Sequence, residues 1–582
     1  MAYIHFFRRI FATNIVCFGI CFAVSATAQT SFDPESESLR QFRQEQDRQD
    51  LQRRQLQPQP DVRLPLLSDT QVSVVLPEAE SPCFEIHNIS FTVTDAGQQN
   101  WDWLAQHIQL SEDTHPVLGR CLGAQGIGAI MARLQQAVVQ QGWTTTRIIA
   151  PPQDLSQGVL QFEILEGVVR EIRFADGHGK RATRFNTLPL REGDLLNLRD
   201  LEQGLENFKR VPTVAADISI EPGAQPGESD LLIRHTQMFP FRVHASVDDS
   251  GSSTTGKYQG SLTLSYDNWW TLSDLFYITW QSELGGKDAG ERGNTGHSLH
   301  YSVPWGYNLL SLNSSSSKYN QTVAGAFQEY VYSGRNELHD VQLSRIVQRD
   351  QAGKTTAAVR AFHRRSHNYI DDTEIEVQRR AVSGIDISLG HRRSLGQGRW
   401  EATLTHRQGI NAWGSLSAPE EAFGEGTARM RLWLLDASFS TPFHLGSQPW
   451  NYHGRLRAQR HQTRLTPQDR FSIGGRYTVR GFDGDSVLSA ESGIFLRNEV
   501  STQLGFSPYS VYLGLDLGRV SGPSVEHLVG RQLTGAVVGL RSYWKTGRVQ
   551  SNLDLFVGQP ITKPDGFRTA SSVFGFSLNT QF

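Results

Sequence analysis

The chain has 582 residues and a formal net charge of −3, and 38% of its residues are hydrophobic. Such a balanced charge gives no strong field that would attract nucleic acid or an acidic substrate. No interior segment approaches the roughly 18 apolar residues of a membrane helix, which excludes a helical membrane protein. The 53 glycines and the 10% of aromatic residues instead fit many short strands joined by tight turns.

Residues 1–28 have the pattern of a secretory signal peptide. Arg8 and Arg9 form a basic start, and the mostly apolar stretch Ile10–Val24 follows. The small residues around Ala28 provide a cleavage site, so the sequence predicts cleavage after Ala28 and export.

Export would remove Cys17 and Cys21 with the signal and leave Cys83 and Cys121 in the mature chain. Two cysteines in an oxidising compartment most simply pair with each other, although two unrelated buried thiols are the alternative. No neighbouring CxxC or HxxxH spacing supplies further ligands, so we expect no metal site.

Residues 29–56 are predicted to form a polar helix. Asp33 and Pro34 suit a helix start, and nothing breaks the helical pattern up to Gln55. The apolar residues make no continuous stripe, so the helix cannot bury a face in an ordinary core. It could stand in a water-filled lumen or be disordered, and the sequence leaves both open. Residues 57–80 carry prolines and no periodicity, which indicates an extended linker.

Two small α/β modules follow, at residues 81–167 and 168–238. Each is predicted as strand, helix, strand, strand, and neither carries a nucleophile, metal or phosphate motif. In the first, the apolar residues from Ile127 to Val138 have helical spacing. In the second, Asn197 is the predicted cap of a helix whose apolar face runs from Leu198 to Phe208.

Residues 239–582 alternate between apolar and polar side chains. In Ser261–Tyr266, for example, Leu262 and Leu264 lie on one face and Thr263 on the other. A soluble sandwich also alternates, but this pattern persists to the end of the chain, and aromatic residues often stand at the strand ends. The sequence therefore predicts a transmembrane antiparallel β-barrel and a mainly β protein. The last strand places four apolar residues on the lipid face, and this pattern resembles the C-terminal signal of outer-membrane barrels that the insertion machinery reads: Phe574, Phe576, Leu578 and Phe582.

This order of segments resembles the two-partner secretion transporters, the ShlB/FhaC/HecB haemolysin secretion/activation family of POTRA-bearing barrels. The most specific mark is similar to that family's loop 6 motif and consists of Val479, Arg480, Gly481 and Phe482. Two further marks are Val247–Gly260, which resembles the first barrel hairpin, and Leu515–Val520, which resembles a later strand motif.

The resemblance implies sixteen barrel strands, which leaves about 21 residues for each strand and its connection, enough for a tilted strand of about ten residues. It also implies an outer-membrane transporter that secretes one large partner protein, with the two modules in the periplasm. The partner's N-terminal secretion domain is expected to engage these modules, for instance by adding a strand to a sheet edge. Outer-membrane lipid and the barrel-assembly machinery are further expected partners. The passenger's identity and its activation stay open.

The alternation of side chains along a strand indicates a partner for Arg480. In the stretch from Val511 to Gly518, Asp516 faces the lumen between Gly514 and Gly518, which leave room for a long side chain. The family resemblance implies the same pairing of Arg480 with Asp516. Because we expect a wet lumen, this pair should contribute about 1 kcal/mol.

Other functions are less well supported. Gly484–Val487 superficially resembles an esterase block, but no Gly-x-Ser-x-Gly or His-Glu-x-x-His motif occurs, so the sequence predicts no enzyme. No Gly-rich phosphate loop is present, so we expect no nucleotide and no cofactor. A barrel protein that assembles other outer-membrane proteins is the main alternative, and a passive porin is disfavoured by the two modules.

Overall fold

The computed structural model describes residues 34–57, 60–65, 76–77, 79–94, 99–108, 117–505 and 508–582. The predicted signal peptide and its cleavage site lie outside the described residues. The chain begins with helix α1 (Pro34–Leu56), close to the bounds predicted for the polar helix. None of the described helices is long and apolar enough to cross a membrane.

The first module contains β1 (Phe84–Ile86), β2 (Asn88–Val93), β3 (Arg120–Leu122), α2 (Ala124–Gln140), β4 (Arg147–Ile149) and β5 (Val159–Leu165). Strand β5 lies between β2, which is parallel to it, and β4, which is antiparallel. The apolar face of α2, with Ile130, Leu134 and Val138, packs in the core against this sheet. Burial of each such side chain contributes about 1.5–3 kcal/mol.

A disulfide between Cys83 and Cys121 closes the start of this module, and the two Cα atoms are 5.3 Å apart. Strand β1 pairs with β3, and Glu85 lies opposite Cys121. The predicted pairing of the two cysteines is confirmed, and it joins the entry strand to the segment that leads into α2.

The second module contains β6 (Val168–Phe174), α3 (Arg184–Thr187), α4 (Leu198–Lys209), β7 (Val214–Pro222) and β8 (Glu228–Gln237). Its sheet has the order β6-β8-β7. The Asn197 side chain accepts a hydrogen bond from the Arg199 amide at 2.9 Å, so the predicted cap of α4 is present. Val62 and Leu64 of the linker pack against this core, so this part of the linker lies along the second module.

The remaining residues form a closed barrel of sixteen long antiparallel strands. This part of the chain contains the sixteen barrel strands and three short additional strands: β9 (Phe241–Asp248), β10 (Tyr258–Asp267), β11 (Leu275–Gly285), β12 (Gly293–Trp305), β13 (Asn308–Ala324), β14 (Glu329–Arg349), β15 (Gly353–Ile370), β16 (Thr373–Glu374), β17 (Arg380–Leu395), β18 (Gly398–Ile410), β19 (Arg431–Leu445), β20 (Gln448–His461), β21 (Phe471–Ile473), β22 (Leu488–Ala490), β23 (Ser492–Gln503), β24 (Tyr509–Ser521), β25 (Gln532–Thr546), β26 (Val549–Thr562) and β27 (Val573–Gln581). Short 3-10 helices span Asp102–His107, Glu376–Gln378, Pro419–Phe423, Pro467–Asp469 and Pro523–His527.

Three of these strands do not belong to the barrel wall. Strand β16 is a two-residue extension beside β15, and β21 and β22 pair only with each other. Strand β27 pairs with β9 and closes the barrel.

The predicted alternation matches the orientation of the side chains in the barrel. Leu262 and Leu513 are exposed on the outer face, whereas Thr263 and Asp516 are buried on the inner face. The last strand exposes Phe574 in the same way. Lipid outside and polar side chains inside account for this period of two.

Candidate functional site in the barrel lumen

The segment between β20 and β23, residues 462–491, is loop 6, and it folds back into the barrel. The hairpin of β21 and β22 carries Ile473 and Leu488 into an apolar cluster, which also contains Val479 and Phe482 of the motif. At the tip, the Thr478 hydroxyl accepts hydrogen bonds from the Gly474 and Gly475 amides at 3.1 and 3.2 Å. The loop is therefore held by its own small core.

Arg480 and Asp516 are in direct contact inside the lumen. The Asp516 carboxylate accepts hydrogen bonds from Nε and Nη2 of Arg480 at 2.8 and 3.0 Å, and from the Arg480 amide at 2.9 Å. Only 5% of the Arg480 side chain and none of the Asp516 side chain is exposed. The pair is thus more buried than a wet lumen led us to expect, and Val479 and Phe482 of the same motif are buried in the apolar cluster of loop 6.

Glycines on the barrel wall make space for this contact. A Cβ atom on Gly514 would lie 2.5 Å from Nη2 of Arg480, and one on Gly535 would lie 1.9 Å from its carbonyl oxygen. Gly481 has a φ of +103°, a conformation that strongly favours glycine. The motif and the facing wall are therefore complementary in shape.

The pair belongs to a larger ionic network, which parity of the neighbouring strands could have predicted but our sequence analysis missed. Arg480 Nη1 also binds Glu499 on β23 at 2.6 Å. Glu499 is paired with Arg541 on β25, and Arg541 lies 3.2 Å from Asp554 on β26. With Asp516 on β24, the network links loop 6 to four neighbouring strands of the inner wall.

A second missed residue, Arg476, ties loop 6 to the point where the barrel closes. Its guanidinium binds Asp249, next to β9, at 2.6 Å and donates to the Phe576 carbonyl on β27 at 2.9 Å. Phe576 is one of the residues of the predicted C-terminal signal. Loop 6 thus contacts both strands of the closing pair.

Helix α1 lies in the lumen, so its contacts decide between the two placements left open by the sequence. Its side chains bind polar groups of the barrel from Arg40 to Gln52. The bonds are Arg40 to Thr254 at 2.9 Å, Gln41 to Ser252 at 3.0 Å, Arg48 to Gln259 at 3.1 Å, Gln52 to Thr263 at 3.2 Å and, just after the helix, Gln57 to Tyr277 at 3.0 Å. A helix that is polar all round fits here because the wall is polar as well.

The helix also touches loop 6. Nη1 of Arg40 lies 3.2 Å from a carboxylate oxygen of Asp485, near the tip of the loop. Phe42 lies under the guanidinium of Arg364, with 5.2 Å between the carbon Cζ and the ring centre. Arg364 in turn binds Asp469 of loop 6 at 3.0 Å. Helix α1, which we call the plug, and loop 6 therefore share Arg364 as a partner.

At the periplasmic end of the lumen, the linker, the second module and the barrel meet. The Val62 and Leu64 amides donate to Glu206 and Glu202 of α4 at 3.0 and 2.9 Å. Arg349, at the end of β14, binds the same two carboxylates at 2.9 and 3.2 Å. We call Glu202, Glu206 and Arg349 the periplasmic lock.

A cavity of about 540 Å³ opens above this lock. Its lining combines α1, α4 and the inner wall, and includes Arg53, Glu206, Arg210, His300 and Lys354. No cluster of residues suited to hold a metal ion occurs in the part of the chain that the structure describes.

These features define an outer-membrane β-barrel transporter with two periplasmic modules and a helical plug. The family model for haemolysin secretion/activation protein ShlB/FhaC/HecB matches residues 227–542, a ShlB-type POTRA model matches residues 91–167 and a second POTRA model matches residues 168–222. The chain belongs to the ShlB/FhaC/HecB haemolysin secretion/activation family, whose members are two-partner secretion transporters. It is a protein of the outer membrane, with its POTRA modules in the periplasm.

Relatives with curated names agree with this assignment. Outer membrane transporter CdiB-2 of Burkholderia pseudomallei is 36% identical, over 98% of this chain and 100% of the relative. Hemolysin transporter protein ShlB of Serratia marcescens is 26% identical over 69% of this chain and 71% of its own length. The solved structure of CdiB from Acinetobacter baumannii superimposes with a TM-score of 0.80, at 30% identity, over 95% of this chain and 100% of that one.

Proposed function

We propose that this transporter secretes a large partner exoprotein through the lumen that α1 now occupies, as a CdiB-type transporter. The observation that carries this proposal is the seating of α1 along a polar inner wall, through side-chain hydrogen bonds. Each such bond contributes only about 0.5–1.5 kcal/mol, or about 1.5–3 kcal/mol where an arginine is the donor, because water replaces it when the helix leaves. The plug is therefore removable without unfolding the barrel.

Loop 6 is proposed to stay in place while the plug moves. Its buried pair of Arg480 and Asp516 and its apolar cluster are stronger than the polar contacts of α1, because broken buried ion pairs leave an uncompensated charge. Loop 6 then shapes one side of the open path.

The two modules are proposed to receive the N-terminal secretion domain of the partner. Strands β6 and β7 are the edges of the second sheet, and β2 and β4 are those of the first. An extended segment of the partner can add to such an edge through main-chain hydrogen bonds. The periplasmic lock lies beside the second module, so binding there can reach the linker of the plug.

Insertion of the barrel is proposed to depend on the barrel-assembly machinery, which would read Phe574, Phe576, Leu578 and Phe582. Transport itself is proposed to need no catalysis, cofactor or nucleotide, since folding of the partner outside the cell can supply the driving force.

The test is secretion of a cognate partner encoded beside this gene. Cells that express both proteins should release the partner, and cells with a transporter lacking the second module should retain it while the barrel still inserts. Release of the partner without the transporter would contradict the proposal.

A further inference from the structure

An exposed aromatic residue of the second module lies at the level of the membrane surface. Phe185, in α3, is 61% exposed, and its ring packs edge-on against Trp305 with 5.5 Å between ring centres. Trp305 ends β12, has the same parity as the lipid-facing Leu299 and is 63% exposed. Phe185 therefore continues the outer face of the barrel, although it belongs to a periplasmic module.

Other aromatic residues stand at neighbouring strand ends, and together with Trp305 we call them the aromatic belt: Tyr266, Trp269, Trp270 and Phe276. Trp269 lies in the turn after β10, and its ring centre is 5.2 Å from those of both Tyr266 and Phe276. Trp270 beside it is 64% exposed. Aromatic side chains at such strand ends mark the level of the lipid headgroups in membrane barrels.

Specific polar contacts hold α3 against this belt. Asn186, next to Phe185, donates to the carbonyls of Leu272 and Pro304 at 2.8 and 3.0 Å, and its own carbonyl accepts from the Gly306 amide at 2.7 Å. Arg181 donates to the Asn268 carbonyl at 2.9 Å. Asn186 is buried, so the exposure of Phe185 is a consequence of a fixed geometry and not of a loose end.

We propose that Phe185 inserts into the periplasmic leaflet and that phospholipid is its binding partner. The ring would lie at the boundary between headgroups and acyl chains, where aromatic side chains are favoured. Lys180 is exposed just before α3, so its positive charge suits the lipid phosphates at the same level. The bilayer would then help to keep the second module against the rim of the barrel, independently of whether the plug is in place.

The test uses the full mature protein with Phe185→Cys, labelled with a small fluorophore and reconstituted into vesicles of phosphatidylcholine. Cys83 and Cys121 are joined in the disulfide, so the new thiol is the one available for labelling among the described residues. Trp305→Cys serves as the positive control. Ala224→Cys serves as the negative control, because it is exposed in the turn between β7 and β8, at the end of β8 opposite to Gln237, which binds the barrel rim.

In vesicles with brominated acyl chains, we expect about two-fold quenching at positions 185 and 305, as for a ring at the interface, and none at position 224. Equal fluorescence at position 185 in brominated and plain lipid would show that this side chain faces water or a protein partner, and would overturn the proposal. If the barrel of the Phe185→Cys variant does not insert into the vesicles, benzoyl-phenylalanine is placed at position 185 instead, because it keeps the aromatic ring. Light should then join it to phospholipid, and its failure to do so would equally overturn the proposal.

Discussion

The carboxylate of Asp516 receives three hydrogen bonds from one residue, Arg480, and two of them come from the side chain and one from the backbone amide. Asp516 thus neutralises the guanidinium of Arg480 and also holds the backbone of loop 6 at this residue. Asp516 has one other cation nearby, Arg497, whose Nε is 3.7 Å away. Arg480 has a second carboxylate, Glu499, at 2.6 Å.

This asymmetry predicts different effects of the two single substitutions. Arg480→Ala leaves Asp516 buried without its main partner, which should cost about 3–5 kcal/mol in the docking of loop 6. Asp516→Ala should cost less, because Arg480 keeps Glu499. Both should reduce secretion of the partner while the barrel still inserts, measured by release of the partner and by heat-modifiable migration.

The double variant Arg480→Ala with Asp516→Ala should be no worse than Arg480→Ala alone, since both changes remove one interaction. Arg480→Lys is the matched control, because it keeps the charge and loses the two-pronged geometry. Full secretion by Arg480→Ala, or strictly additive losses, would count against a role for the pair.

Deletion of α1 should open the lumen. Without residues 34–56, the polar wall that binds Arg40, Arg48 and Gln52 would face water, so single-channel conductance in planar bilayers should rise clearly. Leu51→Ala is the control, because this side chain is 44% exposed and makes none of these hydrogen bonds, so its loss should leave conductance unchanged. Equal conductance with and without α1 would contradict its role as a plug.

The periplasmic lock should protect the linker from proteases. Arg349→Ala leaves Glu202 and Glu206 buried with fewer cations, which should weaken the attachment of the linker to α4 by about 3 kcal/mol. The fraction of molecules with a detached linker would then rise roughly 100-fold. Trypsin should then cut after Arg63 faster, as followed by mass spectrometry. Arg393→Ala is the control, because its contact with Asp350 is 4.0 Å long and exposed. Equal rates for both variants would rule out the lock.

Loss of the disulfide should weaken the first module. Its two cysteines are separated by 38 residues, and a loop of this size corresponds to about 3–4 kcal/mol in the chain-entropy model. Replacing both cysteines by Ala should lower the unfolding temperature of the module and leave the barrel unaffected. Alkylation of the denatured, unreduced mature protein should label no thiol, and two labelled thiols would contradict the pairing.

Glu80 predicts a pH dependence in the same module. Its carboxylate accepts hydrogen bonds from the Gly123, Gln125 and Gly126 amides at 2.7, 2.8 and 3.0 Å, at the start of α2. Partial burial raises the pKa of Glu80, but these three bonds outweigh it, so the pKa is lowered. The stabilisation is therefore complete above the unfolded pKa of about 4.3 and is lost as the pH falls through the folded pKa.

We therefore expect Glu80→Gln to lower the unfolding temperature of the first module at pH 7 and to have little effect at pH values well below the pKa. Thermal unfolding followed at several pH values measures this difference. A difference that stays constant with pH would exclude the carboxylate as its cause.

Periodicity in the sequence determined the barrel, the two modules and the lumen-facing position of Asp516, because side chains alternate strictly along a strand. The disulfide was predicted from the two cysteines that remain after export, and the pairing of Arg480 with Asp516 from this alternation together with the family resemblance. A polar helix, by contrast, has no apolar face from which its packing partner could be predicted. The position of α1 in the lumen was decided by tertiary structure, through wall residues more than 200 positions away. The same holds for the periplasmic lock and Phe185, since each depends on which distant strand ends meet, and that is set by closure of the barrel.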